Sequence, residues 1–205
     1  MKKSFAAGSR GMTIVELMVA LFLASIATYG MYHTYTNTIA VYNLQEQLVE
    51  ITQNMRLTLE LMGRDLRMAG YDPSGSSGAG FVTAGSTTVT FSMDLNGNGV
   101  TSDSGETVTY NFAGSALEKD SLPVLDNVDA VQFVYYDEDG AATTAAADVR
   151  KVQVSLVVRS SQEDPSYIDS ESYLNPQDSV VYAAGGDNYH RRVLSEQIYC
   201  RNLGF

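Results

Sequence analysis

One stretch limits what this chain can become: an apolar run that begins at Met12, ends near Tyr32 and carries a single charge, Glu16, close to its start. At ~1.5 Å of rise per residue, a run of roughly twenty residues is long enough to cross a bilayer as a helix. Ahead of it lies a short polar leader with Lys2, Lys3 and Arg10. A basic leader before an apolar run has the form of an export signal and holds the basic end in the cytoplasm. An ordinary secretory signal places its small-residue cleavage site after the apolar region. Here Gly11 precedes the run, so cleavage there removes only the leader and keeps the helix. Glu16 needs its own account. A carboxylate at mid-depth in a membrane costs about 2–3 kcal/mol, and the run holds no basic residue to neutralise it. One reading is that Glu16 sits near the headgroups and is hydrated.

The residues Gly11-Met12-Thr13-Ile14-Val15-Glu16-Leu17, with the apolar run behind them, resemble the N-terminus of type IV pilins and type II secretion pseudopilins, which carry class III signal peptides. Met12 departs from the commoner Phe but is also large and apolar. The resemblance implies cleavage by a prepilin peptidase between Gly11 and Met12 and methylation of the new N-terminal amine. It also implies a partner for Glu16, the N-terminal amine of a neighbouring subunit in a helical fibre. Such a pair is dry, so losing one member would cost far more than breaking a surface ion pair.

Beyond the membrane run the helical pattern continues. Leu44, Leu48, Ile51, Met55, Leu59, Met62, Leu66 and Ala69 follow in steps of three and four, tracing one face of a helix. Gln45, Glu46, Glu50, Gln53, Arg56, Glu60, Arg64 and Asp65 fill the other faces, with Glu60 and Arg64 spaced for a favourable pair. The stripe is a surface for a soluble head to pack on, or a seam for another helix. Gly30 is a candidate bend, and Gly70 with Pro73 behind it is a stop signal. The run from Arg64 to Tyr71 resembles the end of the long helix in PilW-like minor pilins.

After Tyr71 the character changes. Residues 72–80 form a Gly/Ser-rich connector. Alternating apolar positions then mark strands at Val89, Phe91 and Met93; Val108, Tyr110 and Phe112; Val131, Phe133 and Tyr135; and Val152, Val154, Leu156 and Val158. In the last of these the buried face is expected to meet the helix stripe. The fold class is α+β, a long N-terminal helix packed on an antiparallel β-sheet head. The expected divisions are a leader at 1–11, a helix at 12–70 with its membrane part at 12–32, and a β-rich head at 71–205.

Between the first two strands, Asp94, Asn96 and Asn98 alternate and Gly99 follows, as at the opening of a calcium loop. The EF-hand position for a bidentate Glu is occupied by Gly105, and Glu106 comes one residue late. The candidate calcium ligands are Asp94, Asn96, Asn98, Val100, Asp103 and Glu106; the competing reading is a solvated hairpin, since Asn-Gly turns form for local reasons. Residues 141–147, rich in Ala and Thr, read as an exposed hairpin connection. Residues 160–186 read as a long acidic loop whose Tyr167, Tyr173 and Tyr182 either meet a partner or pin the loop to the sheet. The closing segment 189–202 also resembles PilW-like chains, with Arg191 and Arg192 expected to pair with nearby carboxylates. Cys200 reads as a small buried hydrophobe.

Charge and cysteine content narrow the function. The formal net charge is −11, and losing Lys2, Lys3 and Arg10 takes it to −14, a poor basis for binding nucleic acid. One cysteine allows no internal disulfide. No phosphate loop, His/Cys metal spacing or nucleophile elbow is present, so no enzyme is expected and no cofactor is required beyond a candidate Ca²⁺. The expectation is a minor subunit of a type IV pilus that acts in pilus assembly or initiation. Its partners would be prepilin peptidase, other pilins, the inner-membrane assembly machinery and membrane lipid. It would span the bacterial inner membrane once, head outside the cytoplasm, before joining a fibre. A minor pseudopilin of a type II secretion system shares every N-terminal feature. A membrane-anchored adhesin or sensor is the alternative of a different class.

Overall fold

A computed structural model describes residues 11–204. The chain divides into two compact units, one ending at Glu46 and the other formed by Gln47–Phe205, and helix α1 (Ile14–Met68) passes through both. The leader residues Lys2, Lys3 and Arg10 lie outside the described residues.

In the first unit α1 has no packing partner among the described residues: every residue from 14 to 43 is exposed. An 18-residue window with mean hydropathy 1.9 makes it long and apolar enough to cross a membrane. The helix runs unbroken through Gly30, whose carbonyl also accepts from Thr34 Oγ1 at 3.0 Å.

In the second unit the rest of α1 is core. Ile51, Met55, Leu59, Met62, Leu66 and Ala69 are buried, with Leu48 packed against them, so the three-and-four spacing faces the head. The second compact unit begins within the helix, at Gln47. Its sheets are antiparallel. Strands β1 (Phe81–Ala84), β2 (Thr88–Ser92), β3 (Thr107–Ala113), β4 (Ala116–Lys119) and β5 (Leu122–Asp126) form one sheet in chain order. Strands β6 (Val128–Tyr136), β7 (Ala142–Thr143), β8 (Lys151–Arg159) and β11 (Arg191–Tyr199) form a second, in the order β11-β8-β6-β7. Between β8 and β11 the chain makes a separate hairpin, β9 (Ser172–Leu174) with β10 (Val180–Ala183).

Several local expectations change. The 160–186 segment is no plain loop, since it contains the β9–β10 hairpin, and β7 pairs with β6 inside the Ala/Thr connection. Strand β8 is buried on both faces from Val152 to Val158, because the excursion containing β9 and β10 lies over the side away from α1. There Gln153 is fully buried and exchanges hydrogen bonds with Gln177, while Asn175 Nδ2 donates to Gln132 Oε1 at 2.8 Å. The Glu60–Arg64 pair does not form. Asp65 is drawn to the first sheet, accepting from Lys119 Nζ and Tyr110 Oη at 2.6 Å each.

Gly70 ends α1 with φ +76°, and its N–H donates to Ser92 O at 3.0 Å. A Cβ here would also stand 2.2 Å from Leu203 Cδ2, so both backbone shape and space require glycine.

Candidate functional site

Three regions concentrate chemistry. The first is the start of α1, where Gly11 and Met12 precede the helix and Met12 is 72 % exposed. Glu16 Oε2 accepts from Thr13 N–H at 2.9 Å and from Thr13 Oγ1 at 3.0 Å, and Glu16 N–H donates back to Thr13 Oγ1 at 3.2 Å. This is a reciprocal capping box: Thr13 and Glu16 satisfy backbone donors that the first helical turn leaves free. The Thr-x-x-Glu spacing was available in the sequence as a helix-start signal, apart from any role in assembly. Both bonds to the carboxylate use Oε2, so capping leaves Oε1 able to receive a second donor. The apolar face that follows is open, with Phe22 65 % and Ile26 54 % exposed.

The second region is the 94–106 loop. Asp94 is buried, and its Oδ1 accepts from Gly97 N–H at 2.7 Å and Asn98 N–H at 3.2 Å, while Oδ2 accepts from Gly99 N–H at 2.9 Å. Glu106, also buried, accepts from Leu95 N–H at 3.0 Å and Asp103 N–H at 3.3 Å. Asn96 and Asn98 turn their Nδ2 groups to Asp103 Oδ2, at 2.8 and 2.7 Å. Their own Oδ1 atoms accept from Asn98 and Val100 N–H. In this arrangement the candidate calcium oxygens serve the loop's own amides, and donors occupy the space between Asn96, Asn98 and Asp103. Among the described residues no group of three or more His, Cys, Asp or Glu converges as a metal site. As placed, these residues form a self-saturated turn. It also buttresses the chain leaving α1, since Asp94 N–H donates to Tyr71 O at 2.7 Å and a Cβ on Gly99 (φ +83°) would lie 2.9 Å from Ser76 Oγ.

The third region is one whose partners the sequence did not identify. Arg191, at the start of β11, has a fully buried side chain held by three carboxylates. Its Nε donates to Asp129 at 2.6 Å; Nη1 donates to Asp169 at 2.8 Å and Asp187 at 2.6 Å; Nη2 donates to Asp187 at 2.5 Å. The Tyr182 ring lies 4.9 Å from the guanidinium carbon, and Tyr173 Oη donates to Asp169 at 2.9 Å. Burial pushes the Asp169 carboxyl up, but hydrogen bonds from Arg191, the Glu171 amide and Tyr173 outweigh it and hold the group below the usual carboxylate range. Asp187 is held low first by its bonds to Arg191. Next to this cluster, Tyr167 stacks on His190 at 3.9 Å, and His190 Nε2 lies 3.1 Å from Asp164. The tyrosines of the excursion therefore pin it to the sheet. Arg192, by contrast, is exposed. Cys200 is buried, and burial pushes its thiol up to about 12.

Comparison with known proteins adds three findings. The sequence pattern of the prepilin peptidase-dependent protein B family matches residues 44–173, and the prokaryotic N-terminal methylation motif matches residues 7–32. A comparison with curated proteins finds no match. Among solved structures, a type IV-like pilin from Thermus thermophilus is similar in fold, with a TM-score of 0.58 at 16 % identity, covering 76 % of this chain and all of that one. The methylation motif coincides with the capped start of α1. The family match runs from the packed half of the helix through the first sheet and strands β6, β7 and β8 of the second. The chain is therefore type IV pilin-like, with an N-terminal helix long and apolar enough to cross a membrane, and it belongs to the prepilin peptidase-dependent protein B family.

Proposed function

We propose that this chain is a PilW-like minor subunit of a type IV pilus. In this reading prepilin peptidase cuts between Gly11 and Met12 and the new amine is methylated. The subunit waits in the inner membrane with its head outside the cytoplasm, then joins other minor pilins to start or extend the fibre. The observation that carries this is α1 itself: one helix that is apolar and unpartnered at its start and forms the core of the head at its end. An exposed apolar arm needs lipid before assembly and neighbouring helices after it. Glu16, with Oε1 free of its capping bonds, is the group to receive the N-terminal amine of a neighbour.

Deletion of the gene tests the assignment, with surface pili scored by electron microscopy and secreted enzyme activity measured in the medium. Lost pili with normal secretion is the expected result. Intact pili with blocked secretion would make the chain a minor pseudopilin. If neither is affected, the subunit reading fails and an anchored adhesin or sensor takes its place.

A further inference from the structure

The second sheet ends in an open edge. In the β11–β8 ladder, Ser160 N–H donates to His190 O and Cys200 N–H to Arg150 O, so even-numbered residues of β11 form the hydrogen-bonded pairs with β8. The odd-numbered residues Val193, Ser195, Gln197 and Tyr199 then point their N–H and C=O groups away from the sheet. Among the described residues none of these groups has a backbone partner. Other strands are poorer templates: β5 contains Pro123, β1 is four residues with a register shift, and β7 has two residues. Strand β11 has nine residues, no proline, no lysine and an unshifted register with β8. Of the usual protections of an edge strand, β11 has only its charged side chains, Arg191, Arg192 and Glu196.

The side chains on this edge complement themselves. Arg192, Leu194, Glu196 and Ile198 alternate on the face that carries α1, where Ile198 is buried and Leu194 packs on the core. Among the described residues neither Arg192 nor Glu196 forms an ion pair. We propose that β11 pairs antiparallel with β11 of a second copy, with Leu194 opposite Leu194 and Arg192 opposite Glu196 in both directions. This register pairs Val193 with Ser195, joining two residues whose polar groups both face outward. It also makes cross-strand neighbours of opposite charges on either side of an apolar centre. Arg56 shares a groove with Arg192, Leu48 and Val49, so the incoming Glu196 meets two arginines over an apolar floor.

The direction of the contact follows from the head. Arg192 lies beside residues 48–56 of α1, whereas beyond β11 Asn202 Nδ2 donates to Arg67 O at 2.9 Å. Strand and helix thus run the same way, and an antiparallel β11 pair sets the head segments of α1 in the two copies in opposite directions. The contact joins chains that approach head to head. It does not rest on the pilus reading.

The test uses the detergent-solubilised full chain, with mass measured by light scattering across a concentration series. A dimer is expected for the unaltered chain. R192E alone and E196R alone should each weaken it at least tenfold, and the R192E/E196R double swap should restore it. A monomer at every concentration, or a dimer indifferent to the swaps, overturns the proposal. If a single swap unfolds the head, L194C in a C200S background decides the matter. Air oxidation catalysed by copper should then give a disulfide-linked dimer, and its absence overturns the register.

Discussion

Arg191→Met is the most informative single change in the head. It keeps the apolar stem of the side chain but removes the guanidinium, leaving Asp129, Asp169 and Asp187 without their shared cation. Arg191 and Asp169 are both fully buried, so the loss belongs with broken buried pairs, which cost about 3–5 kcal/mol. Asp187 is partly exposed and can be rehydrated, so Asp169 carries most of the penalty. The lost bonds tie the 160–189 excursion to β11, and the cost should therefore appear first as local opening there. At ~1.4 kcal/mol per decade, 3–5 kcal/mol corresponds to roughly two to three and a half decades faster amide exchange in the excursion. Strands β2 and β3, at a distance, should change far less. The pH dependence should invert as well. In the unaltered protein Asp169 and Asp187 are held low, so their contribution is fully present above the unfolded carboxylate range and is lost as pH falls through their folded values. In the variant a buried carboxylate without its cation has a raised folded value, so lowering the pH towards 5 should recover stability. Hydrogen exchange by mass spectrometry at two pH values reads both effects. An excursion whose exchange rises less than about tenfold, with no pH inversion, would refute the idea that Arg191 holds it.

Other parts of the head make sharper or simpler claims. Replacing Gly70 with Ala forces a positive φ on a side chain that meets Leu203, and should cost more than about 1 kcal/mol in thermal or urea unfolding; a neutral result would mean that the C-terminal segment yields freely. Because the 94–106 oxygens already serve the loop's own amides, millimolar calcium should leave the melting temperature unchanged. A saturable rise of several degrees would show instead that Asn96 and Asn98 turn their carbonyls inward around an ion. The Cys200 thiol, buried and pushed up to about 12, should react with a disulfide reagent at pH 8 only after denaturation; rapid labelling of the native chain would contradict its placement.

The parts legible in the sequence are those governed by local periodicity. The three-and-four stripe from Leu48 to Ala69 told which face of α1 is buried, and alternation located β2, β3, β6 and β8. Short strands were not visible in this way: β4 reads Ala-Leu-Glu-Lys, which has no strand pattern, and β5 carries a proline. The second buried face of β8 was hidden because Gln153 and Ser155 look like solvent-facing residues. Only the excursion folded over them, with Gln177 bonded to Gln153, makes them interior. An ion pair for Arg191 was foreseeable in so acidic a chain. Its particular partners were not, since they lie 62, 22 and 4 residues away and meet only after the sheet and the excursion form. At the other end of the chain, Thr13 and Glu16 were readable as a capping box from spacing alone. There a single carboxylate caps the helix of its own chain through one oxygen, and the other oxygen takes no part in those bonds.

Under the proposed function this chain is cut at Gly11, modified at Met12 and carried into a surface fibre. The most direct measurement is N-terminal peptide mass spectrometry on the chain recovered from fibres sheared off the cell surface, beside the same measurement on the membrane fraction. The fibre fraction should contain the chain starting at N-methylated Met12, with Glu16→Ala reducing its abundance there and leaving the membrane pool in place. A chain found only in the membrane fraction, still carrying residues 1–11, would contradict it.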